Sequence, residues 1–129
     1  MTYVTDTHPL IWLLGDNARL SHAARAVFDA SDARVIIPTI VLAEIKHLFA
    51  RGRIAVNLES VLAHVAGGSN CTIYPLNETV VARLPTTLDI HDAVIVATAL
   101  VHQDNMGEAV ALITRDAAIT ASGLVDIVW

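Results

Sequence analysis

The chain has 129 residues, 54% apolar and 16% charged, with eight Lys and Arg against thirteen Asp and Glu for a formal charge of −5. A single domain spanning residues 1–129 follows, large enough to bury about two-thirds of its unfolded surface, and disorder or low complexity is excluded. The acidic excess argues against diffuse attraction to a polyanion, and the longest apolar run, Val94 to Val101 interrupted by Thr98, is far short of the ~18 residues that span a bilayer.

Tyr3 to Thr5 reads as the end of a short buried strand. Asp6-Thr7-His8-Pro9 leads into the apolar run Leu10 to Leu14, a helix with Pro9 in its first turn and Gly15-Asp16-Asn17 as its stop. Ser21 caps a helix from His22 to Ala30 with Ala23, Val27 and Ala30 on one face. The β-branched run Arg34 to Ile37 is a second strand, ended by Pro38. Thr39 opens a helix through Leu42, Ile45 and Leu48 to Phe49, and residues 57–66 form another that stops at Gly67-Gly68. Cys71 precedes a third strand, Thr72 to Tyr74, Asn77 caps a short helix from Glu78 to Leu84, and His91 to His102 is helical. Ala111 to Ile113 is the fourth strand, Asp116 to Ala121 a short helix, and Val125 to Val128 the fifth strand. Short apolar strands alternating with helices mean βαβ units. The expected fold class is α/β, three layers α/β/α around a mainly parallel sheet of four to five strands.

In such sheets functional groups collect beyond the carboxyl ends of the strands, where the strand order reverses. Asp6 lies directly after the first strand and Asp116 shortly after the fourth, so adjacency of these strands would hang both carboxylates over one crevice. Two further acids sit where burial makes charge costly. Glu44 has Ile40, Val41, His47 and Leu48 as its helical neighbours, and Asp92 opens the face that continues through Ile95 and Val96. A buried carboxylate must be protonated, paired or bound to a cation. Lys46 points away from Glu44, and His91 is the one basic residue within four positions of Asp92. A divalent cation would satisfy all four acids, and an all-oxygen donor set suits Mg²⁺ or Mn²⁺ rather than zinc. The chemistry that follows is hydrolysis of a phosphodiester by metal-activated water. One or two such ions would bring the formal −5 to −3 or −1, which weakens the objection to a nucleic-acid substrate.

These residues resemble a known family. Val4-Thr5-Asp6-Thr7-His8-Pro9-Leu10-Ile11-Trp12-Leu13-Leu14, the Glu44 helix after Pro38-Thr39, Leu88-Asp89-Ile90-His91-Asp92-Ala93 and Leu112-Ile113-Thr114-Arg115-Asp116 look like PIN-domain ribonucleases. More narrowly they look like the VapC-type toxins of bacterial toxin-antitoxin pairs, and the resemblance covers the whole chain. It implies four acids around Mg²⁺ or Mn²⁺, matched by Asp6, Glu44, Asp92 and Asp116. It also implies a hydroxyl beside the last acid, matched by Thr114, and an additional acid before the third, matched by Asp89, with Thr7 as a supporting residue beside Asp6. The activity implied is cleavage of RNA, often tRNA, by a homodimer inhibited by a VapB-like antitoxin whose tail enters the groove. The sequence departs from the pattern at Ala93, where many members carry a basic residue.

Blander roles exist for each residue. Asp6 and Asp116 can serve as N-caps, Asp92 as a first-turn acid, Glu44 as a solvated side chain on a rotated helix, and Thr114 as a strand end. The six histidines form no HxxxH pair, Trp12 and Trp129 read as core or dimer contacts, and Cys71 as a buried inert thiol. Seven of the eight cations are Arg, the side chain whose fork suits phosphate. Lys46, Arg51, Arg53 and Arg115 are the candidate contacts to RNA or antitoxin. The Met1-Thr2-Tyr3-Val4 start lacks the pattern of a secretory leader, so a cytoplasmic location is expected. The competing functions are a structure-specific DNA nuclease and a catalytically silent partner-binding domain. A phosphoacceptor receiver is disfavoured because the only lysine, Lys46, is far from the last strands.

Overall fold

The computed structural model describes residues 1–129. Its elements are β1 (Thr2–Thr5), α1 (Thr7–Leu14), α2 (His22–Asp29), β2 (Arg34–Pro38), α3 (Thr39–Ala50), α4 (Leu58–Ala66), β3 (Cys71–Tyr74), α5 (Glu78–Ala82), α6 (Ile90–Leu100), β4 (Val110–Ile113), α7 (Ala117–Ser122) and β5 (Asp126–Val128). The strands form one sheet in the order β3-β2-β1-β4-β5, and every neighbouring pair is parallel. Val35 to Pro38 of β2 and all of β4 are buried at consecutive positions, so both faces of the sheet are covered by helices. The three-layer α/β/α architecture expected from the sequence is the one observed.

The core is built from β-branched and leucine side chains meeting across those layers. Val4, Val35, Ile37, Leu112 and Ile113 of the sheet and Leu10, Val41, Ile45, Val61, Ile95 and Ile119 of the helices are all fully buried. Each such side chain contributes about 1.5–3 kcal/mol of transfer free energy. Helix α6 is buried at every position from Ala93 to Leu100, and its small residues Ala93, Ala97 and Ala99 let the backbone approach the sheet. No helix is long and apolar enough to cross a membrane.

Four local expectations need correction. The inner face of α2 carries Ala24 and Phe28, while Ala23 is exposed and Val27 and Ala30 are half-buried. Cys71 is the first residue of β3 rather than the residue before it. Helix α5 stops at Ala82 because the next two amides tighten to bonds three residues back, Arg83 N–H to Val80 O at 3.0 Å and Leu84 N–H to Val81 O at 3.2 Å. The α-helical part of α6 ends at Leu100, and Val101–Asn105 continue as a π-helical turn in which Met106 N–H reaches back five residues to Val101 O at 3.2 Å. The buried His102 ring sits inside that turn, its Nδ1–H donating to Thr98 O at 2.8 Å.

From β1 the chain moves outward through β2 and β3, then returns to lay β4 on the other side of β1. The strand order therefore reverses between β1 and β4, and a crevice opens at their carboxyl ends.

Candidate active site

Asp6 and Thr114 meet across that crevice. Thr5 is in register with Ile113, and the Asp6 N–H extends the ladder by donating to Ile113 O at 2.9 Å. One residue beyond Ile113, fully buried Thr114 donates its hydroxyl to Asp6 Oδ2 at 2.7 Å and accepts from the Asp116 N–H at 3.0 Å. A single threonine hydroxyl thus ties the two acids at the end of neighbouring strands. Asp6 and Asp116 also cap helices, as their blander reading held. Asp6 Oδ1 accepts from Thr7 N–H at 2.7 Å and Asp116 Oδ1 from Ile119 N–H at 2.9 Å. Each cap leaves coordinating capacity on the carboxylate, because an ionised carboxylate offers about four lone-pair positions.

Glu44 approaches Asp6 from α3 through Thr7, but lines a separate pocket with His47 and His91 rather than the groove of Asp6 and Asp116. It is half-buried, and Thr7 donates its hydroxyl to Glu44 Oε1 at 3.0 Å, joining the first turn of α1 to the middle of α3. His91 Nδ1 stands 3.9 Å from Glu44 Oε2. Burial pushes the Glu44 carboxyl up, the Thr7 hydrogen bond, His91 and His8 pull it back, and the Asp6 charge adds to the rise. Asp92 comes from the first turn of α6. Burial, followed by the charges of Asp116, Asp6, Asp89 and Glu44, pushes its carboxyl up to about 6. Three acids from separate stretches of chain, Asp116, Asp6 and Glu44, therefore add to burial and to neighbouring Asp89 in raising this carboxyl.

Asp89 is exposed at the N-cap of α6, makes no side-chain cap bond, and acts on the others through its charge. No three His, Cys, Asp or Glu side chains are gathered tightly enough to share one ion as they stand. The donor set is nonetheless all oxygen, and its mutual repulsion is what a hard cation relieves.

Of the four cations singled out from the sequence, Arg115 alone borders this crevice. A groove walled by Asp6, His8, Pro9, Trp12, Arg115 and Asp116 opens there. Lys46, Arg51 and Arg53 are exposed at the C-terminal end of α3 and just past it, and make no ion pair. Three residues belong to the site that sequence reasoning did not place there. His91 and His8, noted in the sequence only for forming no HxxxH pair, act on Glu44. Trp12, read as a core or dimer contact, is half-buried in the groove wall, packed on Trp129. Their one signal was position: His8 and Trp12 follow Asp6 by two and six residues, and His91 precedes Asp92.

Solved structures supply close matches in shape. A toxin-antitoxin complex from Klebsiella pneumoniae superposes with a TM-score of 0.68 at 21% identity, covering 98% of this chain and 96% of that one. VapBC2 from Rickettsia felis, bound to a DNA fragment of its promoter, gives a TM-score of 0.65 at 14% identity, covering 98% and 97%. VapBC-1 from nontypeable Haemophilus influenzae gives 0.64 at 20% identity, covering 98% and 96%. At these identities the likeness establishes the fold. No curated protein sequence matches the chain. The model of the PIN domain matches residues 3–121, nearly the full length, and the chain belongs to the PIN-domain family.

Proposed function

We propose that the chain is a Mg²⁺- or Mn²⁺-dependent endoribonuclease, the toxin of a toxin-antitoxin pair held in check by a VapB-like antitoxin. The observation that carries this reading is the tie of Asp6 to Asp116 through the Thr114 hydroxyl at the β1–β4 switch point, with Glu44 joined to the same helix start through Thr7; the Asp92 carboxyl, pushed up to about 6 by burial and then by its acidic neighbours, supports it. Membership of the PIN-domain family and the likeness to toxins in VapBC complexes support it.

In this reading Asp6, Glu44, Asp92 and Asp116 would hold the ion, which would supply a water molecule of lowered pKa and charge neutralisation at the leaving oxygen. Thr114 holds Asp6 Oδ2 and the Asp116 backbone in one geometry, and Thr7 does the same for Glu44 Oε1, so the carboxylates lose little entropy on closing around a ligand. Above pH 6 the Asp92 side chain is mostly ionised and competent as a donor. Asp89 adds negative charge at the rim, and Arg115 supplies the positive charge nearest the crevice. Because water is the nucleophile, no 2′-hydroxyl takes part; the new P–O bond forms to water as the P–O3′ bond breaks, the 3′-oxygen leaves and takes up a proton, and products carry 5′-phosphate and 3′-hydroxyl ends.

The test is purified protein with total tRNA and with single-stranded and duplex DNA, in Mg²⁺, Mn²⁺ or chelator, followed by mapping of fragment ends. Ion-dependent RNA fragments with 5′-phosphates, lost in Asp6→Asn and Asp116→Asn, are the expected result. Ends bearing 2′,3′-cyclic phosphate, or cleavage that persists in chelator, would overturn the mechanism. Cleavage confined to DNA would overturn the substrate assignment.

A further inference from the structure

The groove leading away from Asp6 and Asp116 has an aromatic wall that the acids do not use. Trp12 of α1 is half-buried, with the His8 and Trp129 rings each 5.7 Å away between centroids and both tilted against it. These two neighbours fix the indole at the groove's edge. The Arg115 guanidinium lies 5.8 Å above the Trp12 ring, within cation–π range. Arg115 is exposed, follows Thr114 and precedes Asp116, yet pairs with no carboxylate. A guanidinium that rests on a ring beside two acids, instead of pairing with either, is free to turn to another anion.

These two groups have complementary tastes. Planar forked donors suit phosphate oxygens, and an indole face suits a nucleobase of any sequence. A surface cation–π contact is worth only about a two- to fivefold preference, whereas base stacking on an aromatic side chain is worth about five- to 150-fold. A base offered to the indole therefore displaces the guanidinium. We propose that Trp12 is the platform on which one unpaired base of the substrate stacks beside the cleaved phosphate, and that Arg115 leaves the indole for a phosphate as that base arrives. This deepens the nuclease reading and rests on it. A base within a duplex has no free face, so the substrate class is a nucleic acid whose nucleotide at the cleaved step is single-stranded or splayed out.

The experiment works from both sides of the contact. In a short single-stranded RNA with a mapped cleavage site, the bases flanking the cut are removed one at a time, leaving the sugar-phosphate chain intact. Wild-type protein should lose about 10- to 100-fold in kcat/KM at one flanking position. Trp12→Ala should be indifferent to that same removal, and Trp12→Phe should retain part of the sensitivity. An undiminished sensitivity in Trp12→Ala, or none at any position in the wild type, would overturn the platform. The second measurement needs neither cleavage nor a truncated Trp12. In Trp129→Phe, Trp12 is the sole tryptophan, and its fluorescence should be quenched by an oligouridylate octamer but not by an abasic ribose-phosphate octamer of equal charge. Equal quenching by both, or by neither, counts against stacking. Quenching by the oligouridylate alone in a protein that cleaves no nucleic acid would sink the nuclease reading and leave the platform standing.

Discussion

Replacing Asp92 by asparagine should make the apo protein more stable at neutral pH. Its carboxyl is moved from 3.8 to about 6, by burial first and then by Asp116, Asp6, Asp89 and Glu44. Fully expressed, that displacement corresponds to about 3 kcal/mol against the ionised folded state. Asp92 is half-exposed, and solvent screening reduces the figure to about 1–2 kcal/mol. The N-terminal end of the α6 dipole favours an anion by about 0.3–1 kcal/mol, which leaves a net gain of about 1 kcal/mol for the neutral isostere. The sign follows from the raised folded value. Well below pH 3.8 the carboxyl is protonated whether the chain is folded or unfolded and the two proteins should match, and at pH 4 the gap should still be small. Between pH 4 and 6 the unfolded chain ionises first, so the wild type loses stability relative to Asp92→Asn, and above 6 the gap is constant. For a domain of this size about 1 kcal/mol means a Tm about 3–5 °C higher for the variant at pH 7.5 in chelator. Thermal unfolding followed by circular dichroism from pH 4 to 8 reads this directly. A variant less stable at pH 7.5, or a gap of the same size at pH 4, would refute the argument that like charges converge on Asp92.

Adding Mn²⁺ should reverse that order, because an ion bound only by the folded wild type stabilises it by about 2.7 kcal/mol at a hundred times its Kd, and the same titration on Asp92→Asn should give a much smaller rise in Tm. Thr114→Val keeps the shape of a fully buried side chain but strips the donor from Asp6 Oδ2 and the acceptor from the Asp116 N–H, so a loss of about 1–3 kcal/mol in unfolding free energy is expected together with reduced cleavage. Thr7→Val removes the hydrogen bond that holds the Glu44 carboxyl down, and the acid limb of the pH–rate profile should move to higher pH while an unmoved limb would show that Glu44 does not titrate in turnover. At the amino-terminal ends of the strands, opposite the crevice, Glu108 accepts from Thr2 and from Arg34, the latter at 2.7 Å, and these bonds hold its carboxyl below the ordinary range. The stability that this pairing provides is present above the ordinary carboxylate range and lost as pH falls through the depressed value, so Glu108→Gln should cost up to about 1 kcal/mol at pH 7, less in acid, with cleavage rate unchanged.

The parts legible in the sequence were those governed by local chemistry. Strand ends followed by Asp at Asp6 and Asp116, and charges stranded among apolar neighbours at Glu44 and Asp92, are visible in windows of a few residues. The ties between them are not. The Thr7–Glu44 bond joins positions 37 apart and the Thr114–Asp6 bond positions 108 apart, and both depend on parallel register, which no hairpin turn encodes. The face of α2 was misread for another reason. His22–Asp29 holds Ala23, Ala24 and Ala26 on several sides, so helical periodicity barely distinguishes them, and the bulk of Phe28 decides which face turns inward. Trp12 escaped because its meaning lies in Arg115 and Trp129, brought to it by β4 and by the residue after β5.

The net charge of −5 understates how the molecule presents itself to a polyanion. Arg25, Arg34 and Arg83 are paired with Asp16, Glu108 and Asp104, so three of eight cations are already neutralised. The five left without a carboxylate are Arg19, Lys46, Arg51, Arg53 and Arg115, and three of these gather at the end of α3, the helix that carries Glu44. On the acidic side, four carboxylates oppose one another around the β1–β4 crevice. On the proposed reading, that crevice would repel phosphate without a cation; one or two divalent ions would bring the formal charge to −3 or −1, with the change falling at the crevice itself. Ion binding there would couple stability and substrate attraction through the same carboxylates, and a variant that relaxes the repulsion should gain the first at the expense of the second.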